Sequence, residues 1–156
     1  MTDYDLLVRQ VETLGEEEPW WIPFFANTAA LLMETLPDLN WAGFYMLREG
    51  RLVLGPFTGK PACIHIPLGK GVCGTAAAGD KVLRVADVHA FPGHIACDSA
   101  SASELVIPLH RQGRVIGVLD LDSPRGDRFT AADEAGLRRV TETLERMCTT
   151  CISMTS

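Results

Sequence analysis

The chain has 156 residues, the length of one compact domain, and leaves no room for a second fold. Hydrophobic residues make up 47% and charged residues 22%, so the chain can bury a core and is neither disordered nor fibrous. Twenty Asp and Glu against fourteen Lys and Arg give a net charge of -6, which argues against nucleic acid or an anionic membrane as a partner.

The N-terminal sequence lacks a basic stretch followed by an apolar run, and no segment has the roughly 18–20 apolar residues needed to cross a bilayer. We therefore expect a soluble, cytoplasmic protein. Five cysteines is an odd number in a chain without a secretion signal. Reactive thiols or metal ligation are therefore better interpretations than a structural disulfide framework.

Two helices are predicted over roughly the first forty residues. In each, apolar residues recur at intervals of three and four, which is typical of a helix with one buried face. Gly15 and the acidic residues 16–18 separate the two patterns, and Pro37 ends the second. The apolar positions are Leu6, Leu7, Val11 and Leu14 in the first helix and Ile22, Phe25, Ala29, Leu32 and Leu36 in the second.

Short strands with turn signals between them follow these helices. Turns at 48–50 and at Gln112 and Gly113 predict two β-hairpins. A short Ala-rich helix is predicted at 72–78, and Thr130 is the predicted N-cap of a long final helix. The strands are predicted at 41–47, 51–57, 62–66, 81–86, 104–109 and 114–122. This order favours an α+β fold, in which an antiparallel sheet carries the terminal helices on one face.

Residues 87–103 have neither a helical nor an alternating period and predict an irregular loop. A loop of this length inside a compact domain is usually a functional lid or disordered. Its composition argues against disorder, because it contains side chains that bury or bind. These are His89, Phe91, His94, Ile95 and Cys97.

Cys148 and Cys151 form a Cys-Thr-Thr-Cys sequence, a spacing found in redox and zinc sites. Redox motifs of this kind use a helix N-terminus to lower the thiol pKa, whereas the end of a helix raises it. Both cysteines continue the apolar stripe of the final helix, so we interpret them as packing residues or as part of an incidental tail.

The other three cysteines lie within three residues of Gly, Pro or His. Cys73 follows a Gly-Lys-Gly sequence, where the N–H groups of a helix start and the charge of Lys70 would favour the thiolate. Cys97 lies in the predicted lid, and Cys63 lies in a predicted strand. From these features alone, reactive thiols and ordinary buried cysteines are equally good interpretations, although Cys63, which alternates with Ile64 and Ile66, taken alone favours core packing.

A zinc site is the alternative chemistry for the cysteines and histidines. Structural zinc sites usually have paired ligands two to four residues apart at both ends of a loop. His94 and Cys97 form one such pair without a clear second, so we do not expect a metal site. The candidate ligands are Cys63, His65, Cys73, His89, His94 and Cys97.

Three acidic residues occupy unusual positions. Asp120 and Asp122 alternate with leucines in an otherwise apolar strand, and Glu104 opens a neighbouring strand after the lid. Asp is depleted in strand interiors, so two on one face need water, a ligand or a cation. If the three converge, repulsion and partial burial would raise at least one pKa and keep a proton available.

Four segments closely resemble the free methionine-R-sulfoxide reductases, a family of single-domain GAF-fold enzymes. They are NWAGFY (40–45), LGPFTGKPACIHIPLGKGVCGTAA (54–77), DVHAFPGHIACDSASASELVIP (87–108) and IGVLDLDSP (116–124). The resemblance is strongest from about residue 20 to 146 and implies a single GAF domain over 1–156. It implies six antiparallel strands, with the terminal helices on one face and the lid loop and short helix on the other.

The resemblance also implies an activity, the reduction of the R-sulfoxide of free methionine and not of methionine within proteins. It implies Cys97 as the nucleophile, with Cys63 as the main resolving thiol and Cys73 able to join the exchange. No cofactor is implied, because thioredoxin is the expected external reductant.

The same resemblance gives roles to the acids and to one aromatic residue. Glu104, Asp120 and Asp122 are implied to polarise and protonate the sulfoxide oxygen. Trp41 is implied as the wall for the S-methyl group of the substrate. Tyr45, on the same face of its strand, is a second candidate binding residue, for which core packing is the alternative.

The rival interpretation is a GAF binding module that senses a cyclic nucleotide or another small molecule. Such a pocket would need neither three thiols nor three acids.

His89 and His94 could bind the substrate carboxylate, stabilise a thiolate or brace the loop. Apolar faces on the N-terminal helices are compatible with a homodimer. Turns and backbone contacts are the expected roles of Ser99, Ser101 and Ser103.

Overall fold

The computed structural model describes residues 1–94 and 100–149, and the predicted positions Cys97, Ser99 and Cys151 lie outside them. The helices in the described ranges are α1 (Tyr4–Glu17), α2 (Trp21–Thr35), α3 (Gly71–Gly79) and α4 (Ala131–Met147). None of these helices is long and apolar enough to cross a membrane. The strands are β1 (Trp41–Arg48), β2 (Arg51–Gly59), β3 (His65–Pro67), β4 (Leu83–Val85), β5 (Ser103–Arg111) and β6 (Arg114–Ser123).

The strands form one antiparallel sheet in the order β3-β2-β1-β6-β5-β4. Both hairpins predicted from the sequence are confirmed. At their tips the pairs Glu49 and Gly50, and Gln112 and Gly113, all have positive φ angles. This is the geometry that lets a two-residue turn follow the twist of its strands. The predicted α+β class is therefore correct.

Two strands are shorter than the sequence predicted. Pairing with β2 starts only where the N–H of Leu54 donates to the carbonyl of Ile64, so β3 begins at His65. The N–H of Lys81 donates to the carbonyl of Ala76, which ends α3 and delays the start of β4. Local hydrogen bonds therefore decide the first residue of each strand.

The sheet separates two apolar cores. Helices α1, α2 and α4 cover one face, where their apolar stripes meet sheet residues such as Phe44 and Leu119. Helix α3 packs on the other face, against a core that includes Trp41 and Tyr45. The predicted division, with the terminal helices on one face and the short helix on the other, is confirmed.

Gly15 does not end the first helix as the sequence suggested. A Cβ at this position would lie 2.8 Å from Cζ of Phe24, so Gly15 allows α1 and α2 to pack closely. Helix α1 therefore continues to Glu17. At the start of α4, Thr130 and Asp133 form the capping box that the predicted N-cap and acidic first turn require.

The described part of the predicted lid is attached to the α3 side of the sheet. Val88–Ala90 form a single 3-10 turn, and the N–H of Val88 donates to the carbonyl of Ala102. The N–H of Gly71, at the start of α3, donates to the carbonyl of Gly93. These bonds hold both ends of the described lid close to the face that α3 covers.

Candidate active site

Neighbouring strands bring the three acids of the sequence analysis together. Asp122 on β6 pairs with Trp41 on β1 at one side and with Glu104 on β5 at the other. Asp120 pairs with Gly43. Because residues two apart on a strand share a face, the acids and the indole of Trp41 lie on the same side of the sheet. That side is the one that α3 covers.

Helix α3 adds Cys73 to this group. The Sγ of Cys73 donates to Oε2 of Glu104 at 3.7 Å. This Sγ and one carboxylate oxygen from each of Glu104 and Asp120 lie within 4.8 Å of one another. All three residues are buried, with exposed fractions of 4%, 8% and 5% for Cys73, Glu104 and Asp120. A thiol and two carboxyl groups are therefore close enough to share protons.

Burial raises the pKa of Glu104. Burial, followed by the charges of Asp122 and Glu104, raises the pKa of Asp120 well above its usual range. Among the described residues, Oδ1 of Asp120 has no hydrogen-bond partner although it is buried. Protonated carboxyl groups in such a pocket can donate to a polar atom of a bound ligand.

The structure corrects the expectation that the helix start and Lys70 favour a thiolate at Cys73. Burial, with the charges of Asp120 and Glu104, raises the pKa of Cys73 instead. Lys70 is exposed and faces water, which screens its charge. The loss of water and the nearby carboxylates outweigh the helix start, so Cys73 is a protonated thiol at rest.

Trp41 forms an aromatic wall beside the acids. Its indole stacks on Phe57, with ring centroids 5.3 Å apart, and on Tyr45 at 5.9 Å. The indole Nε1–H donates to the carbonyl of Lys60, and the hydroxyl of Tyr45 donates to the carbonyl of Cys63. Both predicted binding residues therefore line the pocket and also hold the 60–63 segment beside it.

Three further pocket residues were not among the catalytic and substrate-binding residues predicted from the sequence. Lys60, His94 and Ser101 line the pocket with the acids and Cys73. The charge of His94 lowers the pKa of Glu104, although burial outweighs it. The hydroxyl of Ser101 accepts from the side-chain amide of Asn40 at 3.2 Å. Only the composition of the lid pointed to His94, and no sequence signal distinguished Lys60.

The cysteines differ in state. Cys73 is free, whereas Cys63 and Cys148 are disulfide-bonded. Cys148 is 2% exposed in the core beneath the terminal helices, as its apolar spacing predicted. Its disulfide corrects the interpretation of Cys148 as a packing residue alone, because an odd number of cysteines does not say which of them pair. Cys97, the expected nucleophile, lies outside the described residues.

One group of described side chains is close enough to share a metal ion, formed by Cys73, Glu104 and Asp120. Of the zinc ligands considered from the sequence that the structure describes, only Cys73 belongs to it. Burial raises the pKa of these groups and so favours their protonated forms, which oppose the binding of a cation. The same arrangement suits a neutral ligand that accepts hydrogen bonds.

This fold, with a buried thiol and acid pocket on the α3 face, defines the class of protein as a GAF domain, and the GAF domain family matches residues 22–146. The chain is 53% identical over 147 residues to the free methionine-R-sulfoxide reductase of Escherichia coli, covering 94% of this chain and 89% of the relative. It is 37% identical over 150 residues to the enzyme of that name from Saccharomyces cerevisiae, covering 91% and 83%.

Solved structures agree with these relatives. The reduced form of fRMsr of Staphylococcus aureus has a TM-score of 0.92 at 47% identity, covering 96% of this chain and 97% of that one. A free methionine-R-sulfoxide reductase from Neisseria meningitidis, in complex with its substrate, has a TM-score of 0.89 at 43% identity, covering 92% and 87%. The chain therefore belongs to the GAF domain family and, within it, to the free methionine-R-sulfoxide reductases.

Proposed function

We propose that this protein reduces the R-epimer of free methionine sulfoxide to methionine. The observation that carries the proposal is the buried cluster of Cys73, Glu104 and Asp120 beside Trp41, in a chain 53% identical to a free methionine-R-sulfoxide reductase. A sulfoxide oxygen accepts hydrogen bonds, and the protonated acids of this pocket are suited to donate them.

The proposed reaction begins with attack of the Cys97 thiolate on the sulfoxide sulfur. The oxygen takes a proton from the acid cluster and passes to Cys97, so methionine leaves and a sulfenic acid remains on the enzyme. The thiol of Cys63 then attacks the sulfenic sulfur, which forms a disulfide and releases water. The disulfide of Cys63 supports the second step, since this cysteine is already in the oxidised state.

Glu104 and Asp120 are the proposed proton donors, because burial raises the pKa of both. Asp122 is less buried and lies in register between Trp41 and Glu104. Its proposed role is to act with the other two acids on the sulfoxide oxygen and to raise the pKa of Asp120 by its charge. This arrangement keeps a donor protonated at a pH where isolated carboxyl groups are ionised.

Selection of one epimer follows because the pocket fixes the positions of three substituents on the substrate sulfur. The S-methyl group packs on the indole of Trp41, the oxygen faces the acids, and the sulfur lone pair faces Cys97. In the other epimer at least one of these contacts is lost. Selection of the free amino acid follows from the lid, since a peptide chain extending from the substrate would prevent closure.

Thioredoxin is the proposed reductant, which returns the Cys63 disulfide to two thiols. A cytoplasmic location suits such a cycle, because the reducing pathways there regenerate dithiol proteins.

Exposed Leu6, Trp20 and Ile22 on or beside α1 and α2 support the expected homodimer. The sensor alternative is less favoured, since a sensing pocket needs no buried thiol among protonated acids.

The test is a rate comparison among the R and S epimers of methionine sulfoxide, each free and within a peptide. With dithiothreitol as reductant, only the free R-epimer is expected to turn over. Cys97→Ser is expected to abolish this turnover, and Cys148→Ser, in the terminal-helix core, is the matched control expected to retain it. Activity that survives Cys97→Ser, or that is equal for both epimers, would contradict the proposal.

A further inference from the structure

An exposed apolar surface lies beside Cys63 at the end of the sheet. Ile64 is 60% exposed and Leu68 is 40% exposed. They flank β3, which is one of the two edge strands of the sheet. Ile64 and Leu68 are four positions apart, which corresponds to about 13 Å of extended chain. Both can therefore lie within one small protein interface. Neither Ile64 nor Leu68 is among the described residues that line the active pocket. We call Ile64 and Leu68, with the adjoining Arg51, the β3 surface.

The β3 surface lies in the locally positive part of a negative protein. After Glu49, the sequence from Gly50 to Gly79 contains Arg51, Lys60 and Lys70 but neither Asp nor Glu. All three cations are exposed. Arg51 pairs in register with Pro67 on β3, so its side chain lies on the same edge of the sheet as Leu68, the residue after Pro67, but on the opposite face of the strand. Since opposite charges speed association and orient partners, the surface fits an acidic protein with an apolar patch.

The half-buried, disulfide-bonded Cys63 lies next to this surface in the chain. In reduction, a thiolate of a dithiol protein attacks Sγ of Cys63, the enzyme disulfide breaks, and the leaving thiolate takes a proton. The second thiol of the reductant then attacks the mixed disulfide, which frees Cys63 and leaves the reductant oxidised. The attack needs the partner's thiol beside Cys63, so the partner must rest on neighbouring surface.

Resting on the proposed function, we infer that the β3 surface is the docking site of an acidic dithiol protein of the thioredoxin type. Ile64 and Leu68 supply the apolar contacts, and Arg51 supplies the charge. Redox encounters bury little area, so a few side chains near the centre carry much of the affinity. A small dithiol such as dithiothreitol needs none of these contacts.

The test compares rates with free methionine-R-sulfoxide under two reductants, recombinant thioredoxin with its reductase and NADPH, and dithiothreitol. Ile64→Glu and Leu68→Glu are expected to raise the KM for thioredoxin about fivefold or more, with the dithiothreitol rate unchanged. Arg51→Glu is expected to raise the same KM and to weaken its dependence on salt. Arg114→Glu on β6 and Arg138→Glu on α4, both at exposed positions, are controls expected to keep the ratio of the two rates.

An unchanged KM for thioredoxin in both Ile64→Glu and Leu68→Glu would overturn the docking site, as would an equal rise in the two controls. If Ile64→Glu lowers the dithiothreitol rate through misfolding, Leu68→Glu and Arg51→Glu decide the outcome. Failure of the wild-type protein with dithiothreitol would contradict the proposed function itself, independently of the docking site.

Discussion

The Sγ of Cys73 lies 3.7 Å from Oε2 of Glu104, and both side chains are buried although they are 31 positions apart in the chain. Burial, together with these neighbouring carboxyl groups, is the reason why a cysteine at a helix start does not become a thiolate. Burial and the charges of Asp120 and Glu104 raise its pKa instead.

Cys73 is therefore expected to react slowly with iodoacetamide. In the reduced protein near neutral pH, alkylation at Cys73 should be at least about tenfold slower than at the half-buried Cys63, because only the thiolate reacts. Peptide mapping by mass spectrometry measures both rates, and Cys73 labelled ahead of Cys63 would refute the assigned protonation state.

Asp120→Asn is expected to slow the chemical step by about 10²-fold or more, which is the usual contribution of a positioned acid. The wild-type rate should also fall as pH rises through the raised pKa of Asp120, because the donor proton is then lost. Single-turnover kinetics separate this step from substrate binding. Asp127→Asn, at an exposed position, is the matched control.

Asp122→Asn is likewise expected to slow the chemical step more than it weakens ligand capture. Its charge helps to keep the proton on Asp120, so its loss should move the alkaline limb of the rate profile to lower pH. Single-turnover rates across pH measure this shift. A profile with an unmoved alkaline limb would remove Asp122 from the protonation of the substrate.

The same Asp120→Asn change is expected to stabilise the fold at neutral pH. The folded-state pKa of Asp120 is raised, so wild-type stability from this group is present at low pH and is lost as pH rises toward the raised value. The gain in Tm of Asp120→Asn should therefore be largest near neutral pH and small near pH 4. Thermal melts across this range measure it, and a Tm difference that does not change with pH would contradict the burial of an ionisable group.

Gly43→Ala is expected to disturb the aromatic wall. An added Cβ would overlap Cβ of Phe57 and lie 2.8 Å from Cη2 of Trp41, so the indole must move. We expect a loss of about 1–3 kcal/mol in the free energy of unfolding and a higher KM for the substrate. Urea melts and steady-state rates measure these effects. Gly126→Ala, whose nearest contact would be 3.8 Å away, is the control expected to change neither.

His110 is expected to give the fold a pH dependence away from the active site. Its Nε2 lies 2.6 Å from Asp80 and its Nδ1 lies 2.9 Å from Glu145. Partial burial lowers the pKa of His110, but the hydrogen bonds to Asp80 and Glu145 outweigh this and raise the pKa overall. Its contribution is therefore present below the ordinary pKa of histidine and is lost as pH rises through the raised value.

His110→Gln should consequently lower stability most between about pH 5 and 6.5, where the imidazolium is present. The difference should shrink at higher pH. Because the side chain is 36% exposed, water screens the pairs and the effect should stay below about 1 kcal/mol. Urea melts across pH measure it, with the exposed His65→Gln as control. If the free energies of unfolding of His110→Gln and wild type differ by the same amount at every pH, the ion pairs of His110 are not the source of a pH-dependent stability.

Much of the fold was predictable because its signals are local. The alternation around Trp41, Asp120 and Asp122 defined strands with one polar face, and the turn residues fixed the two hairpins. Strand starts were less predictable, since they depend on backbone bonds such as that from Lys81 to Ala76. Gly15 looked like a helix stop for a similar reason, because its packing partner Phe24 lies on another helix.

The sequence by itself determined which chemical groups this protein has and on which face of each strand they lie, because side-chain identity and period-two alternation are local properties. The tertiary structure alone decided the protonation of Cys73, the strong rise in the pKa of Asp120 and the place of Lys60 and Ser101 in the pocket. The physical reason is that a pKa depends on the water removed and the charges brought near, and both come from distant parts of the chain.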